Sequence, residues 1–220
     1  MNKLVESEFF TRENPLRWQM TYGERLALVS LLRQRRPRVS IEIGTSQGGS
    51  LQAISAASES VYSLDHDPTT QARLGAHFKN VRFIMGNSAH TLPKLLGELR
   101  TSKTAYQFAL IDGDHSAEGA RRDIRAFLND GPPLEKVWLV IHDAANPTVR
   151  EGIRTAGWAN CPYVHFIDLD FVQGMYHAGQ GGARGMMWGG FAVAILMPEK
   201  RTEPLRVWQG QEEFLQQLAK

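Results

Sequence analysis

The sequence predicts an α/β protein with a doubly wound, mostly parallel sheet of seven strands and helices on both faces. Short apolar segments alternate with amphipathic segments from Val39 to Pro147, as in sheets that crossover helices cover on both sides. Two further apolar segments after residue 160 have no helix between them, so the last strand should be antiparallel. A chain of 220 residues is long enough to bury one core of this kind.

The N-terminal part is predicted to be an arm followed by a helix (1–36), and the main domain to span 37–220, in a single globular unit. Thr21 and Glu24 have the spacing of a capping box, which marks a helix start, and Pro37 ends that helix. The arm carries Phe9, Phe10 and Trp18. We expect these aromatic side chains to cover the site, to pack in the core or to join a dimer.

The predicted strands are short and rich in β-branched or aromatic residues, and each of the first five precedes a helical segment. They are residues 39–43, 61–64, 81–85, 108–111, 137–141, 163–167 and 191–196. A last short amphipathic helix is predicted from Gln211. In such a sheet the ligand should lie at the carboxyl ends of the parallel strands.

Composition narrows the classes of partner. The net charge is only +2 and the chain is 42% hydrophobic, so no strong field favours nucleic acid. No apolar run is long enough to span a membrane, and the acidic N-terminus does not resemble a signal peptide. A single cysteine, Cys161, excludes an internal disulfide and fits a reducing compartment. We expect a cytoplasmic protein, without a nucleic-acid or membrane partner, that forms a homo-oligomer.

A glycine-rich turn follows the first strand, at residues 42–49. Such a turn lets the backbone approach a ligand closely. Its letters fit a dinucleotide fingerprint with Ser46 in place of the middle glycine, and they also match a serine-hydrolase elbow. The elbow normally follows several strands, whereas the chain before Ser46 has room for only one, which disfavours the hydrolase interpretation. A third interpretation is a site for S-adenosylmethionine, because Glu42, Gly44, Ser46 and Gly48 resemble the E-x-G-x-G-x-G signature of class I methyltransferases.

The ends of the next two strands supply further candidate cofactor contacts. Asp65 ends the second strand about 20 residues after the loop, where a carboxylate can bind both ribose hydroxyls. This acid also occurs in NAD enzymes, so it does not distinguish the two cofactors. Asn87 and Ser88 follow the third strand, where adenine contacts are expected. A turn and the N-cap of the next helix would explain these two residues equally well.

Acids and histidines follow the fourth and fifth strands. Asp112 and His115 come after the fourth strand, and His142 and Asp143 after the fifth. Neighbouring parallel strands end at the same edge, so these side chains should converge. Two carboxylates suit Mg²⁺, and imidazole also suits Mn²⁺, Fe²⁺ or Zn²⁺. Asp114 is better explained by the helix start that follows it.

The segment from Ile111 to Gly119, followed by Asp123 and Ile124, resembles a group of Rossmann-like class I methyltransferases over roughly residues 38–158. The group includes metal-dependent O-methyltransferases of macrolide and aminocoumarin sugars, and proteins labelled rhamnosyl O-methyltransferase or cephalosporin hydroxylase. The resemblance implies S-adenosylmethionine as cofactor and a divalent metal, most simply Mg²⁺, at Asp112, His142 and Asp143. The usual acid is replaced by His142. Asp112 would also contact the cofactor, and His115 would be the general base.

The resemblance therefore implies metal-assisted methylation of a small-molecule hydroxyl, on a sugar, catechol or natural product. An NAD-linked oxidoreductase and a non-catalytic nucleoside-binding subunit are the alternatives. A glycine-rich segment, residues 173–190, joins the last two strands at the same edge as the proposed site. Its methionine and aromatic residues predict a lid over the acceptor or a contact between subunits.

Overall fold

The computed structural model describes residues 16–177 and 185–210. Its helices are α1 (Tyr22–Arg35), α2 (Gly49–Ala57), α3 (Thr70–Leu74), α4 (Ser88–Thr101), α5 (Ala117–Asn129) and α6 (Pro147–Arg154). Its strands are β1 (Val39–Ile43), β2 (Ser60–Asp65), β3 (Val81–Met85), β4 (Phe108–Ile111), β5 (Val137–His142), β6 (Val164–Val172), β7 (Met175–His177), β8 (Met186–Trp188), β9 (Phe191–Leu196) and β10 (Val207–Trp208).

The main sheet has the order β10-β6-β9-β5-β4-β1-β2-β3. Strands β1 to β5 are parallel, and β9 lies antiparallel between β5 and β6. The predicted fold class is confirmed, including the seven predicted strands and the antiparallel direction of the seventh. The two-residue strand β10 adds an eighth strand, parallel to β6, which the sequence analysis did not predict.

Helices cover both faces of this sheet, and alternating strand residues feed two separate cores. On one face Ile41, Ala109 and Ile111 pack with helices α4, α5 and α6. On the other face Phe108, Leu110 and neighbouring strand residues pack with α1 and α2. Strands that bury both faces have no room for the alternation of polar and apolar residues seen in one-sided sheets, which explains their nearly continuous apolar sequences.

The segment before α1 lies across the start of α2. Trp18 and Met20 are buried in the second core. Of the three roles proposed for the aromatic residues of the arm, core packing therefore applies to Trp18. A β-carbon on Gly49 would lie 2.6 Å from the carbonyl oxygen of Arg17, so only glycine fits at this crossing. Gln52 fixes the segment further by donating a hydrogen bond to the Leu16 carbonyl at 3.1 Å.

Part of the predicted 173–190 segment is regular structure. Strands β7 and β8 pair antiparallel, with Met175 opposite Trp188 and His177 opposite Met186. The predictions for Phe9, Phe10, the helix from Gln211 and the tip of this segment lie outside the described residues. Within the described ranges, no helix has the length and apolar character that crossing a bilayer requires.

The parallel pairing decides which strand ends meet. Ile111 of β4 pairs with Ile43 of β1 and with Ile141 of β5. The residues that follow these strands therefore lie side by side at the carboxyl edge of the sheet. This register places the glycine loop, the residues after β4 and the residues after β5 around one point.

Candidate active site

The glycine loop after β1 uses the left-handed backbone region at three alternate positions. Gly44, Ser46 and Gly48 have φ values of 86°, 47° and 78°. A β-carbon on Gly44 would lie 1.9 Å from the carbonyl oxygen of Asp112, so the loop is packed directly on the end of β4. Ser46 holds a conformation that normally favours glycine, which is consistent with a glycine position in the signature that this loop resembles.

Asp65 fastens this loop to the end of β2. Its Oδ2 accepts hydrogen bonds from the backbone N–H groups of Thr45 at 3.0 Å and Ser46 at 2.8 Å, and its Oδ1 accepts from Asp67 N at 2.9 Å. The carboxylate is buried, yet it borders the cavities described next. Each carboxylate oxygen has two lone pairs, so Asp65 retains capacity to accept a further hydrogen bond from a ligand.

Two adjoining cavities occupy the carboxyl edge of the sheet. The larger has a volume of about 900 Å³ and the smaller about 340 Å³. Gly44, Asp65, His66 and Gly113 border both. The larger cavity extends to the acid and histidine cluster, and the smaller extends to the start of α4. The pair therefore offers an elongated site with a wide end and a narrow end.

The predicted adenine contacts border the narrow end. Asn87 and Ser88 line the smaller cavity. They also have the structural roles that the sequence left open, because Asn87 caps α4 by accepting from Ala89 N at 2.9 Å. Ser88 Oγ donates to the buried Asp123 at 2.9 Å.

Two of the predicted loop contacts do not border either cavity. Glu42 is fully buried and its Oε1 accepts a hydrogen bond from Ser50 Oγ at 2.6 Å. Gly48 faces Leu16 and Leu74. Gly44 and Ser46 do line the larger cavity. Direct contact of Glu42 and Gly48 with a cofactor thus stays a prediction from the signature, without support from their position.

The four predicted residues after β4 and β5 do converge. His142 Nδ1 lies 2.9 Å from Asp112 Oδ1, and His115 Nε2 lies 3.1 Å from Asp143 Oδ2. His115 Nε2 is also 3.6 Å from Asp112 Oδ1. Asp114 faces away, where its side chain accepts a hydrogen bond from Ser116 N at 2.9 Å, as expected for a helix start. All four converging residues line the larger cavity.

Three of them form a candidate metal site. One ligand atom from each of Asp112, His115 and Asp143 lies within 4.8 Å of the others. The predicted set had His142 in place of His115. The ring nitrogens of His142 instead face two carboxylates, Asp112 on one side and Glu24 on the other. The donor atoms of Asp112, His115 and Asp143 suit a divalent cation such as Mn²⁺, Fe²⁺ or Mg²⁺.

Asp143 has a strained backbone. Its φ of 54° lies in the left-handed region, which costs of order 1 kcal/mol or more for a residue other than glycine. The Gly189 N–H donates to its Oδ1 at 2.8 Å, which fixes the carboxylate. Residues in such conformations cluster at active sites and ligand clamps, and Asp143 lines the larger cavity, so its conformation is consistent with a role beyond the fold.

Glu24 is a member of this site that the sequence analysis missed. It comes from the first turn of α1 and is 1% exposed. Its Oε1 lies 3.3 Å from His142 Nε2. The capping box with Thr21 is confirmed, but that motif explained Glu24 as a helix cap and gave no sign that its carboxylate reaches a residue 118 positions away.

The carboxylates and histidines perturb one another strongly. Hydrogen bonds to Asp112 and Asp143 raise the pKa of His115 to about 10. Burial would lower the pKa of His142, but Asp112 and Glu24 outweigh it and raise that pKa well above its usual value. Burial likewise opposes the charge on Glu24, and the hydrogen bond and charge of His142 overcome it, so its pKa falls to about 2. His115 and His142 are therefore protonated near neutral pH, while Asp112 and Glu24 are ionised.

The hairpin β7–β8 borders the wide end of the site. Met175, His177 and Trp188 line the larger cavity, and the Trp188 ring meets the His115 ring edge-to-face with centroids 5.8 Å apart. The hairpin thus contacts the candidate metal site, as the predicted lid requires.

Residues 41–144 match a family model described as a methyltransferase domain. The match covers the glycine loop, Asp65, Asp112 and Asp143. It favours the methyltransferase interpretation of the loop over the dinucleotide and hydrolase interpretations. None of the curated proteins matches the chain.

Solved structures share the fold at low identity. The O-methyltransferase from Bacillus cereus in complex with S-adenosylhomocysteine is 16% identical with a TM-score of 0.57, over 81% of this chain and 82% of that chain. The cofactor-bound protein Rv0187 from MTB is 19% identical with a TM-score of 0.56, over 84% of both chains. The N-methyltransferase NodS from Bradyrhizobium japonicum is 14% identical with a TM-score of 0.53, over 89% and 97%. O- and N-methyltransferases thus share this fold.

Proposed function

We propose that this protein transfers the methyl group of S-adenosylmethionine to a hydroxyl oxygen of a small molecule, with the help of a divalent cation. The observation that carries the proposal is the cluster of Asp112, His115 and Asp143 at the wide end of the elongated site. The cluster lies beside the glycine loop that a methyltransferase uses for its donor. It brings negative charge to the point where donor and acceptor would meet.

The donor fits the shared wall of the two cavities. In this arrangement the adenine occupies the narrow end beside Asn87 and Ser88, and a ribose hydroxyl donates a hydrogen bond to Asp65. The donor supplies an electrophilic methyl group. The solved relative from Bacillus cereus holds S-adenosylhomocysteine, the product of such a transfer, which supports the assignment of this ligand.

Oxygen is favoured over nitrogen as the acceptor atom by the donor set at the wide end. When bound, a divalent cation supplies Lewis acidity, which lowers the pKa of a nearby hydroxyl group. Asp112 and Asp143 would hold the ion by their carboxylates, and His115 by Nε2 in its neutral form. A neutral amine needs no such acid, so a cation site would give an N-methyltransferase little advantage.

His115 has one nitrogen at the cluster, so it cannot ligate an ion and accept a proton at once. Its position within 4.8 Å of both carboxylates favours the ligand role over the predicted role as general base. With an ion bound, the remaining contribution of the chain is to orient the acceptor against the donor. Such positioning alone accounts for a large part of the rate of bimolecular reactions.

Trp188, Met175 and His177 provide the acceptor side of the larger cavity. Their mixture of aromatic, thioether and imidazole groups suits a small molecule with an apolar body and neighbouring oxygens. Catechols and polyketides with adjacent hydroxyls meet both parts of this description, and sugars meet the second part.

Release of S-adenosylhomocysteine from S-adenosylmethionine, measured over a panel of such acceptors, tests the proposal. We expect release with an acceptor and Mn²⁺ or Mg²⁺, and a loss of at least about 100-fold when a chelator is added or when Asp143 is replaced by Asn. Asp130→Asn is the matched control, because Asp130 pairs with Arg100 at 2.8 Å outside both cavities.

Two results would count against the proposal in different ways. Full turnover in excess chelator, or in Asp143→Asn, would remove the cation from the reaction but leave the methyltransferase. Calorimetry that detects no binding of S-adenosylhomocysteine to the wild-type protein would remove the donor itself. Binding without turnover on any acceptor would favour a nucleoside-binding subunit.

A further inference from the structure

We propose that Glu24 is a positioning residue of the active site, which fixes the ring of His142 and, through it, the carboxylate of Asp112. The inference rests on the proposed function, because Asp112 is one of the residues that would hold the cation. Glu24 itself does not belong to the candidate metal ligands. It lies outside the segment that matches the methyltransferase family, so the family match gives it no role.

The carboxylate of Glu24 accepts from three separate parts of the chain. Its Oε1 accepts from the backbone N–H of Gly190 at 2.5 Å and from His142 Nε2 at 3.3 Å. Its Oε2 accepts from the backbone N–H of Thr21 at 2.5 Å. One buried side chain therefore joins the start of α1, the end of β5 and the turn between β8 and β9.

The ring of His142 is held at both nitrogens. Nε2 meets Glu24, and Nδ1 meets Asp112 Oδ1 at 2.9 Å. The ring also contacts Phe191, with centroids 5.4 Å apart and the two ring planes tilted by 58°. The orientation of the Asp112 carboxylate therefore depends on a ring whose far side is fixed by Glu24. Carboxylate and imidazole partners of this type orient metal ligands in many proteins, and their loss typically lowers metal affinity about 10- to 100-fold.

Only a carboxylate meets these requirements at position 24. The three groups around it are N–H donors, so both of its oxygens must accept. A glutamine has one acceptor oxygen, and its amide N–H₂ would face a donor on one side. The turn packs directly on this carboxylate, since a β-carbon on Gly189 would lie 2.4 Å from Glu24 Oε1.

The test compares wild-type protein with Glu24→Gln and with the control Asp130→Asn. The control removes a carboxylate that also has a charged partner, Arg100, but lies outside the site. The first measurement is a crystal structure of metal-free Glu24→Gln. We expect the His142 ring to rotate and the distance from His142 Nδ1 to Asp112 Oδ1 to increase beyond hydrogen-bonding range, above about 3.5 Å. This measurement does not depend on a metal.

The second measurement is Mn²⁺ affinity, determined by electron paramagnetic resonance in the presence of S-adenosylhomocysteine. We expect Glu24→Gln to bind Mn²⁺ about 10- to 100-fold more weakly than wild type, while its affinity for S-adenosylhomocysteine changes less than about threefold. Asp130→Asn should keep the Mn²⁺ affinity of the wild type. If Glu24 had a merely structural role, the loss of Mn²⁺ affinity in each of the two variants would follow the decrease in its melting temperature.

An unchanged His142–Asp112 hydrogen bond in the Glu24→Gln crystal structure would overturn the inference, and so would an Mn²⁺ affinity equal to that of wild type. Wild-type protein that binds no Mn²⁺ would instead contradict the metal part of the proposed function. In that case the crystal structure alone still decides whether Glu24 positions His142.

Discussion

Replacement of Glu42 by Gln should flatten the dependence of stability on pH. Burial in the core raises the pKa of Glu42 from an ordinary 4.5 to about 8, despite an opposing hydrogen bond from Ser50. The folded protein thus keeps a proton that the unfolded chain releases. Since stability falls with rising pH wherever the folded state binds more protons, this group must destabilise the fold as the pH rises from about 4.5 to about 8.

The size of the effect follows from the shift. One pKa unit corresponds to about 1.4 kcal/mol, so between about pH 5 and about pH 8 Glu42 should remove roughly 3 to 4 kcal/mol from the free energy of unfolding. Glu42→Gln cannot ionise and should lose that part of the pH dependence. The histidines of the site titrate in both proteins, so the difference between the two curves isolates Glu42.

Urea unfolding of the ligand-free protein at a series of pH values between these limits measures the effect, provided that the transition is two-state. Glu59→Gln is the control, because Glu59 is exposed and should change the curve by less than about 0.5 kcal/mol at any pH. Parallel curves for wild type and Glu42→Gln would show that Glu42 is ionised in the folded protein, and the argument from its burial would be wrong.

Two further predictions concern the ligands. Asp65→Ala should weaken S-adenosylhomocysteine binding at least about tenfold in calorimetry, because it removes a predicted ribose contact and two hydrogen bonds to the glycine loop; binding at wild-type strength would place the ribose elsewhere. Mn²⁺ affinity should increase about tenfold per pH unit up to about pH 9. His115 must release its proton before it can bind the ion, and its pKa is raised to about 10. A flat profile would exclude His115 as a ligand.

The sequence was sufficient to predict the sheet and the part of the site that Asp112 and Asp143 form. Strands that alternate with helices have few arrangements, and the neighbouring ends of β4 and β5 follow from the parallel order. The meeting of Asp112 and Asp143 could therefore be predicted from two local motifs. The short strand β10 could not, because two residues at a sheet edge carry no periodic signal.

The contacts that Glu24 makes with His142 and with the Gly189–Gly190 turn could not be predicted from the sequence. Glu24 fits its local capping motif completely, so nothing in the sequence indicates that its carboxylate has a second partner. His142 was predicted as a metal ligand in place of an acid, yet its ring faces Glu24 and Asp112. In the sequence, Gly189 and Gly190 are distinguished by nothing from the other glycines of the 173–190 segment. Contacts between distant segments decide these roles, and one sequence does not record them.

The segment before α1, which crosses the start of α2, has a practical consequence for dissecting this protein. The family match begins at residue 41, whereas Gln19, Met20 and Glu24 border the larger cavity. A fragment that begins at residue 41 would keep the glycine loop, Asp112 and Asp143 but would open one wall of the larger cavity. Replacing residues 16–24 by the corresponding segment of a similar protein is thus a direct way to reshape this cavity while the sheet stays intact.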